Sequence, residues 1–423
     1  MKFIKSLRGT YDILPEEVKY WQLIEKTASQ ILTNANYLEI RTPIVEQSEL
    51  FARGVGRGTD IVTKEMYSFE DQGKRSVTLR PEGTAGISRS FIENKLYSSK
   101  NSYKLWYVGP MFRYERPQHG RQRQFNQLGV EYIGIKNARV DAEVISIAYS
   151  FLQNLGISEL KLEINTIGNV ADRKLYVEQL VKYLKPHYEQ LDKDSQQRLN
   201  VNPLRILDSK NVNTQKILEK APILFDSVNN SSKEYFEELC LYLNALKISY
   251  EINFKLVRGL DYYNDTAFEL KTSLLGAQDT ICGGGRYDNL IEDLGGPKTP
   301  AIGWAIGIER LLLLLKQKLV LDNPQIDFYI VSDNSKRCKI ESLILFNQLI
   351  KNNIKVDLDY TDSTIRKKIK RAYKLGSKNC LIIGEKEVEE QKVTIKNLLT
   401  NSEKTISKKQ FLYNDLMYSE LKF

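Results

Sequence analysis

Strand-like, glycine-bearing segments lie on both sides of a stretch, about residues 170–250, in which glycine all but vanishes and Lys, Glu and Gln are abundant. A charged, helix-forming stretch cannot continue the strands that flank it. The pattern therefore predicts one folded unit that is interrupted by a helical insertion and closes again beyond it. Around the insertion, residues 16–35 carry Val18, Trp21, Ile24, Ala28 and Ile31 at steps of three and four, the period of an amphipathic helix. Tyr37–Val45 reads as a strand interrupted by Pro43, which removes a ladder donor and places the strand at an edge or an interface. Lys104–Tyr114 and Gln124–Ile133 read as two strands joined by a polar, basic loop, and Lys161–Ile164 as a short strand. Strand-like sequence returns over Phe254–Leu270 and Thr280–Ala305. From about Asn323 a new alternation starts: strand 327–331, helix 336–352, strand 354–358, helix 363–375 and strand 379–383. That is a small α/β domain. The expected division is 1–322 and 323–423, and 423 residues suffice for two or three cores.

Composition removes several function classes. No apolar run approaches the roughly 18 residues of a membrane span. The opening Met-Lys-Phe-Ile-Lys-Ser-Leu-Arg is too short in its apolar part for a secretory signal, and no long transit peptide is expected. Four separated cysteines show neither CxxC nor zinc spacing, so a reducing compartment is expected. Two histidines, His119 and His187, leave little material for a metal cluster or a Ser-His-Asp triad. A net charge of +9 favours a polyanionic partner, although a Lys- and Asn-rich coding bias produces the same excess.

Several segments carry chemistry. Leu256-Val-Arg-Gly-Leu-Asp-Tyr-Tyr263 places Arg258, a permanent cation with a planar donor fork, beside Tyr262 and Tyr263. It suits an anion held next to a planar polar molecule; strand tyrosines and a surface arginine are the plainer alternative. Phe112-Arg-Tyr-Glu-Arg116 ends a strand with Arg113 and Glu115 on one side, and the loop after it holds Arg121 and Arg123. The loop invites phosphate, or is a solvated hairpin tip. Leu79-Arg-Pro-Glu-Gly-Thr84 offers Glu82 and Thr84 to an ammonium group, and also fits a helix start. Gln127 and Glu131, four apart on a strand, share a face, and a buried carboxylate there needs a partner, which an NH-bearing ligand would supply. Ala301–Arg310 runs from small residues into an apolar helix, 307–315, with Arg310 in its first turn. No phosphate-cradling GxxxxGK[ST] occurs, and Gly283-Gly-Gly-Arg-Tyr287 by itself is a weak signal.

Taken in order, these segments resemble class II aminoacyl-tRNA synthetases, and specifically the histidyl-tRNA synthetase family, over nearly the whole chain. Arg8-Gly-Thr-Tyr-Asp-Ile-Leu-Pro15 resembles that family's opening, Tyr37–Glu46 its dimer-forming motif 1, Phe112–Phe125 motif 2 and Ala301–Arg310 motif 3. Ala305 stands where the general motif 3 has glycine. Leu256–Tyr263 and Cys282-Gly-Gly-Gly-Arg-Tyr-Asp288 resemble the two histidine-specific motifs. The resemblance implies an α+β fold: an antiparallel sheet flanked by helices, the helical insertion, and a C-terminal α/β anticodon-binding domain. It implies ATP and L-histidine as substrates, Mg²⁺ with the ATP, tRNA(His) as partner, a homodimer, and no membrane. It casts Arg113 and Arg258 at the α-phosphate, with Arg258 also at the substrate carboxylate. Glu115 falls at the adenine amino group, and Phe125 and Arg310 on the two adenine faces. Glu82, Gly83, Thr84 and Gln127 fall around the α-ammonium, Glu131 and Tyr263 at the imidazole, and Tyr262 in the same pocket. Arg116 and Gln118 fall at the tRNA acceptor end, and the basic run Arg366–Arg371 is expected near the anticodon. A pocket that hydrogen-bonds the imidazole needs no editing domain. A histidine-sensing regulatory subunit of ATP phosphoribosyltransferase is the main competing reading, and an RNA-binding paralogue the third. The presence of Arg113, Arg258, Arg310 and the C-terminal α/β segment favours the enzyme. The expected compartment is cytoplasm, or plastid stroma for an organelle-encoded chain.

Overall fold

A computed structural model of the chain describes residues 3–118, 120–275, 279–321 and 325–413. His119 and the expected boundary at 322/323 lie outside the described residues. The chain forms two compact units, Met1–Val320 and Leu321–Phe423.

The first unit opens on helix α1 (Pro15–Asn34), then the short strands β1 (Leu38–Glu39) and β2 (Val45–Gln47), and α2 (Ser48–Gly54). Next come β3 (Tyr67–Glu70), β4 (Ser76–Leu79), α3 (Thr84–Glu93), β5 (Tyr103–Phe112), β6 (Gln124–Ile133), α4 (Ala138–Asn154) and β7 (Lys161–Thr166). The helical stretch follows as α5 (Val170–Leu184), α6 (Lys193–Val201), α7 (Val212–Leu218) and α8 (Asn230–Ala245). Then β8 (Tyr250–Ile252), β9 (Asn264–Lys271), β10 (Thr280–Arg286), α9 (Leu290–Asp293), β11 (Ala301–Gly307) and α10 (Ile308–Lys318) complete the unit.

Its main sheet has eight strands in the order β1-β5-β6-β11-β10-β9-β7-β8. The six central strands pair antiparallel, and only the two edge strands pair parallel to their neighbours. Helix α1 starts at Pro15, whose fixed φ suits a first helical position, with Glu16 and Glu17 in its first turn. It buries Tyr20, Trp21, Ile24, Ala28 and Leu32, so its core face includes Tyr20 and Leu32 rather than Val18 and Ile31.

The strand expected over Tyr37–Val45 is instead two short ones in two sheets. β1 lies at the edge of the main sheet, and β2 pairs with β4 in a separate three-stranded sheet. Pro43, with no N–H and a fixed φ, sits in the break. The stretch over 170–250 is helical as expected, but α8 packs on α4 of the main body and β8 joins the main sheet.

The second unit is a five-stranded sheet. It is built from β12 (Phe328–Ser332), α11 (Lys336–Lys351), β13 (Val356–Leu358), α12 (Ile365–Lys374), β14 (Asn379–Ile383), α13 (Glu385–Glu389), β15 (Lys392–Asn397), β16 (Glu403–Ser407) and α14 (Lys408–Tyr413). Strands β13, β12 and β14 are parallel, and β15 and β16 complete the sheet antiparallel. One core cluster holds Phe328, Leu345 and Leu349, and a second holds Tyr329, Val331 and Ala372. Parallel strands joined by helical crossovers are what the alternating sequence pattern requires.

Candidate active site

A cleft of about 860 Å³ opens on the main sheet. Strands β6, β9, β10 and β11 supply its floor, because side chains on alternate residues of each strand stand on one face. Glu131 of β6 is its most buried acidic group, at 1% exposure. Thr84 Oγ1 donates to Glu131 Oε1 at 2.7 Å, and Tyr287 Oη donates to Oε2 at 2.5 Å. Glu131 pairs across the sheet with Gly303, and its carboxylate occupies the space a Cβ at Gly303 would take. Burial pushes the Glu131 carboxyl up to about 8, the two hydroxyl donors oppose this, and nearby Glu82 adds to it. The partner expected from a ligand is thus already supplied in part by the protein. Thr84 and Tyr287 are neutral donors, so the site still favours a bound cation or a shared proton.

Glu82 serves the two readings its sequence allows. Its carboxylate accepts from the backbone N–H of Thr84 and of Ala85, both at 2.8 Å, and so caps α3. It also lines the cleft, and burial raises its carboxyl above the usual range. Gly83, the N-cap position of α3, does not line the cleft; it packs against the Tyr107 ring, where a side chain has no room. Gln127 lines the cleft, and its Oε1 is buried without a hydrogen-bond partner. An orphaned buried acceptor in a cleft with two buried carboxylates calls for an N–H donor carrying positive charge.

Arginines make the wall. Arg258 lies across Gly283, where any Cβ would collide with its guanidinium. Its Nη1 pairs with Glu269 Oε1, its Cζ lies 5.6 Å from the Tyr263 ring centre, and its Nε is buried without a partner. Glu269 also accepts from Thr280 Oγ1 at 2.8 Å. Arg113 Nε donates to the Pro81 carbonyl at 2.9 Å, and its Nη1 stands 3.9 Å from Glu115 Oε1. Its Cζ lies 5.2 Å from the Phe125 ring centre, so an aromatic face is held beside a cation. Arg121 joins Glu115 at 3.3 Å. Arg310 enters from the first turn of α10, and its Nη1 donates to the Thr280 carbonyl at 2.5 Å. Tyr262 and Tyr263 stand 4.6 Å apart, centre to centre, with Tyr287 at 5.6 Å from Tyr262.

The cleft therefore gathers Glu82, Thr84, Arg113, Glu115, Phe125, Gln127, Glu131, Arg258, Tyr262, Tyr263 and Arg310. Arg116 and Gln118 lie on the β5–β6 loop and do not line it. Arg121, on the loop expected to invite phosphate, lines it, whereas sequence reasoning gave no role to Tyr287 or Glu269, both of which line it. The signal for Tyr287 was present: at the end of β10, residues 286 and 287 face opposite ways. Arg286 turns from the cleft into a network with Asp141, Asp288 and Tyr235, in which Arg286 and Asp141 are fully buried. Among the described residues no group of three His, Cys, Asp or Glu side chains is placed to hold a metal ion.

A cleft with acids at its floor and cations on its wall, opened on the face of an antiparallel sheet, is what the resemblance to the class II aminoacyl-tRNA synthetases implied. Comparison with known proteins narrows the class. A family profile described as Histidyl-tRNA synthetase matches residues 9–311, and one described as Anticodon binding domain matches 327–413. The chain belongs to the histidyl-tRNA synthetase family. It is 55% identical over 397 residues to the chloroplastic histidine–tRNA ligase of Gracilaria tenuistipitata var. liui, covering 94% of each chain. It is 52% identical over 412 residues to the histidine–tRNA ligase of Gloeothece citriformis, covering 97% of this chain and 96% of that one. The solved apo histidyl-tRNA synthetase of S. aureus matches at a TM-score of 0.81 and 42% identity, over 97% of this chain and 99% of that one. A chain described as an ATP phosphoribosyltransferase regulatory subunit/histidyl-tRNA synthetase, from Bacillus halodurans C, matches at a TM-score of 0.64 and 23% identity, which shows a shared fold alone.

Proposed function

We propose that this chain is a histidine–tRNA ligase. In this reading the histidine carboxylate attacks the ATP α-phosphorus, pyrophosphate leaves, and the terminal ribose hydroxyl of tRNA(His) then takes the histidyl group from the adenylate. The observation that carries it is the floor of the cleft: a buried carboxyl at Glu131 held by Thr84 and Tyr287, beside Tyr263. An imidazole N–H is the donor that such a carboxylate accepts, and Tyr262 and Tyr263 give the ring flat neighbours. Glu82, Thr84 and the unpartnered Gln127 Oε1 take the α-ammonium. Arg258 leaves its pairing with Glu269 to meet the substrate carboxylate and α-phosphate, which Arg113 approaches from the other side. Phe125 and Arg310 enclose the adenine, and Glu115 accepts from its amino group.

Catalysis is then positioning and charge neutralisation, with no protein nucleophile. Mg²⁺ brought with ATP would supply further charge neutralisation at the phosphates, alongside Arg113 and Arg258. Arg116 and Gln118, on the β5–β6 loop, meet the acceptor end of the tRNA. The residue 1–322 portion does the chemistry, the helices from residue 170 onward clasp the acceptor arm, and the 323–423 portion reads the anticodon. The protein works as a homodimer through Tyr37–Glu46, in the cytoplasm or, as the chloroplastic relative suggests, in a plastid stroma.

The deciding assay is ATP–pyrophosphate exchange without tRNA, run with each of the twenty amino acids. Exchange with histidine alone is expected. Histidine binding with no exchange for any amino acid would instead make the chain a sensor.

A further inference from the structure

The loop from Arg258 to Tyr263 carries an arginine and two tyrosines of the cleft, yet it has no regular secondary structure of its own. What holds it comes largely from the helical stretch after residue 170. Asn202, just beyond α6, donates from Nδ2 to Asp261 Oδ1 at 2.7 Å. Arg173 of α5 donates from Nη1 to the Asp261 carbonyl at 3.0 Å. Arg205 rests its guanidinium on Gly259, with Nη1 only 2.7 Å from where a Cβ would stand, and that nitrogen is buried without a partner. From the other side, the Asp261 N–H donates to the Val55 carbonyl at 3.1 Å, and Asp261 packs on Gly56, which has no side chain to obstruct it.

Gly259 and Asp261 are thus gripped between Arg258 on one side and Tyr262–Tyr263 on the other. Of these interactions, the one from Asn202 is directional and joins two side chains, so it alone can be exchanged without altering a backbone. A shift of the loop moves Arg258 and Tyr263 together, because only two and one residues separate them from Asp261.

We infer that Asn202 is a positioning residue for amino-acid activation: its hydrogen bond to Asp261 fixes the loop that aims Arg258 and Tyr263, without touching either substrate. The inference rests on the reading of the cleft as a histidine-activating site. It also means that the helical stretch, in addition to any contact with tRNA, is part of the activation machinery when no tRNA is present.

The test is histidine-dependent ATP–pyrophosphate exchange by the full chain, with thermal unfolding recorded for each variant. Asn202→Asp sets a second carboxylate against Asp261 and is expected to lower kcat by about ten- to a hundredfold, with KM for ATP changed far less. Combining it with Asp261→Asn restores one donor and one acceptor in exchanged positions, and is expected to return kcat to within about threefold of wild type. Asn202→Ala, which removes the donor without adding charge, is expected to lower kcat at an unchanged melting midpoint, and serves if Asn202→Asp fails to fold. Wild-type kcat in Asn202→Ala, or no recovery in the exchanged pair, overturns the inference. A wild-type protein that shows no histidine-dependent exchange overturns the reading of the site, and the inference with it.

Discussion

Glu131 shows how one side chain acquires a function from its surroundings. Free carboxyls of this type titrate near 4.3, whereas burial lifts this one to about 8. Between those values the folded chain holds a proton that the unfolded chain has lost, so the contribution of Glu131 to stability falls as pH rises through that window. Glu131→Gln abolishes this slope, and urea unfolding should show the variant gaining on wild type from about pH 5 to pH 8. Ligand binding follows the same proton. If the complex holds one proton between imidazole and carboxyl, histidine affinity should be flat from about pH 6.5 to 8, where the two partners bring that proton with them. Above that it should fall by about tenfold per pH unit, and Glu131→Gln should lack this limb in a calorimetric titration. Arg258 makes the complementary case, as a cation parked on Glu269 with a further N–H unpartnered. Arg258→Ala should cost about 10²–10³ in pyrophosphate exchange, as the loss of one donor to a developing charge does elsewhere. Near-native exchange would remove Arg258 from the reaction.

At the scale of elements, the sequence was legible where a single period ran without interruption. Helix α1, strands β5 and β6, and the α/β alternation after residue 326 all form where their apolar patterns place them, although α1 buries Tyr20 and Leu32 in place of Val18 and Ile31. It was least legible where a side chain's direction depended on tertiary packing. The run Arg366–Arg371 is one example. Lys368 is buried, donating to the Ser332 carbonyl at 2.8 Å, and Arg371 forks onto Asp359 at 2.8 and 3.1 Å. Only Arg366, Lys367 and Lys370 of the run are exposed, with Lys374 one turn on. An anticodon contact by α12 therefore falls to these residues. Lys367→Glu with Lys370→Glu should weaken tRNA binding and flatten its dependence on salt, by about 0.7–0.9 in the log–log slope for each phosphate left without its cation. Unchanged affinity would make α12 a solvated face. Strand β10 is the second example. Its glycines look like a turn in sequence, but they form a strand, because Arg258 crosses Gly283 and Gly285 lies close to the backbone of β9.

At the scale of the molecule, the segment broken by Pro43 leaves Leu38 54%, Ile44 42% and Val45 47% exposed. Exposed apolar side chains on or beside the edge strands of the two sheets are where a second copy would pair or pack. The proposed homodimer through Tyr37–Glu46 predicts that Val45→Arg shifts the protein toward monomer in analytical ultracentrifugation and lowers exchange activity with it. A wild-type monomer with full activity would exclude the dimer as a working unit.

The sequence by itself determined the family, the α+β class and eleven of the side chains that line the cleft, because motif order, strand alternation and helix period are local and survive in one dimension. Only the tertiary structure decided that Thr84 and Tyr287 reach Glu131, that Arg258 rests on Glu269, that Arg286 turns away from the cleft, and that the helical stretch holds the Arg258 loop through Asn202. Those pairings join residues up to 156 positions apart. No local pattern specifies them; they exist because eight strands close in one register and bring distant side chains onto one face.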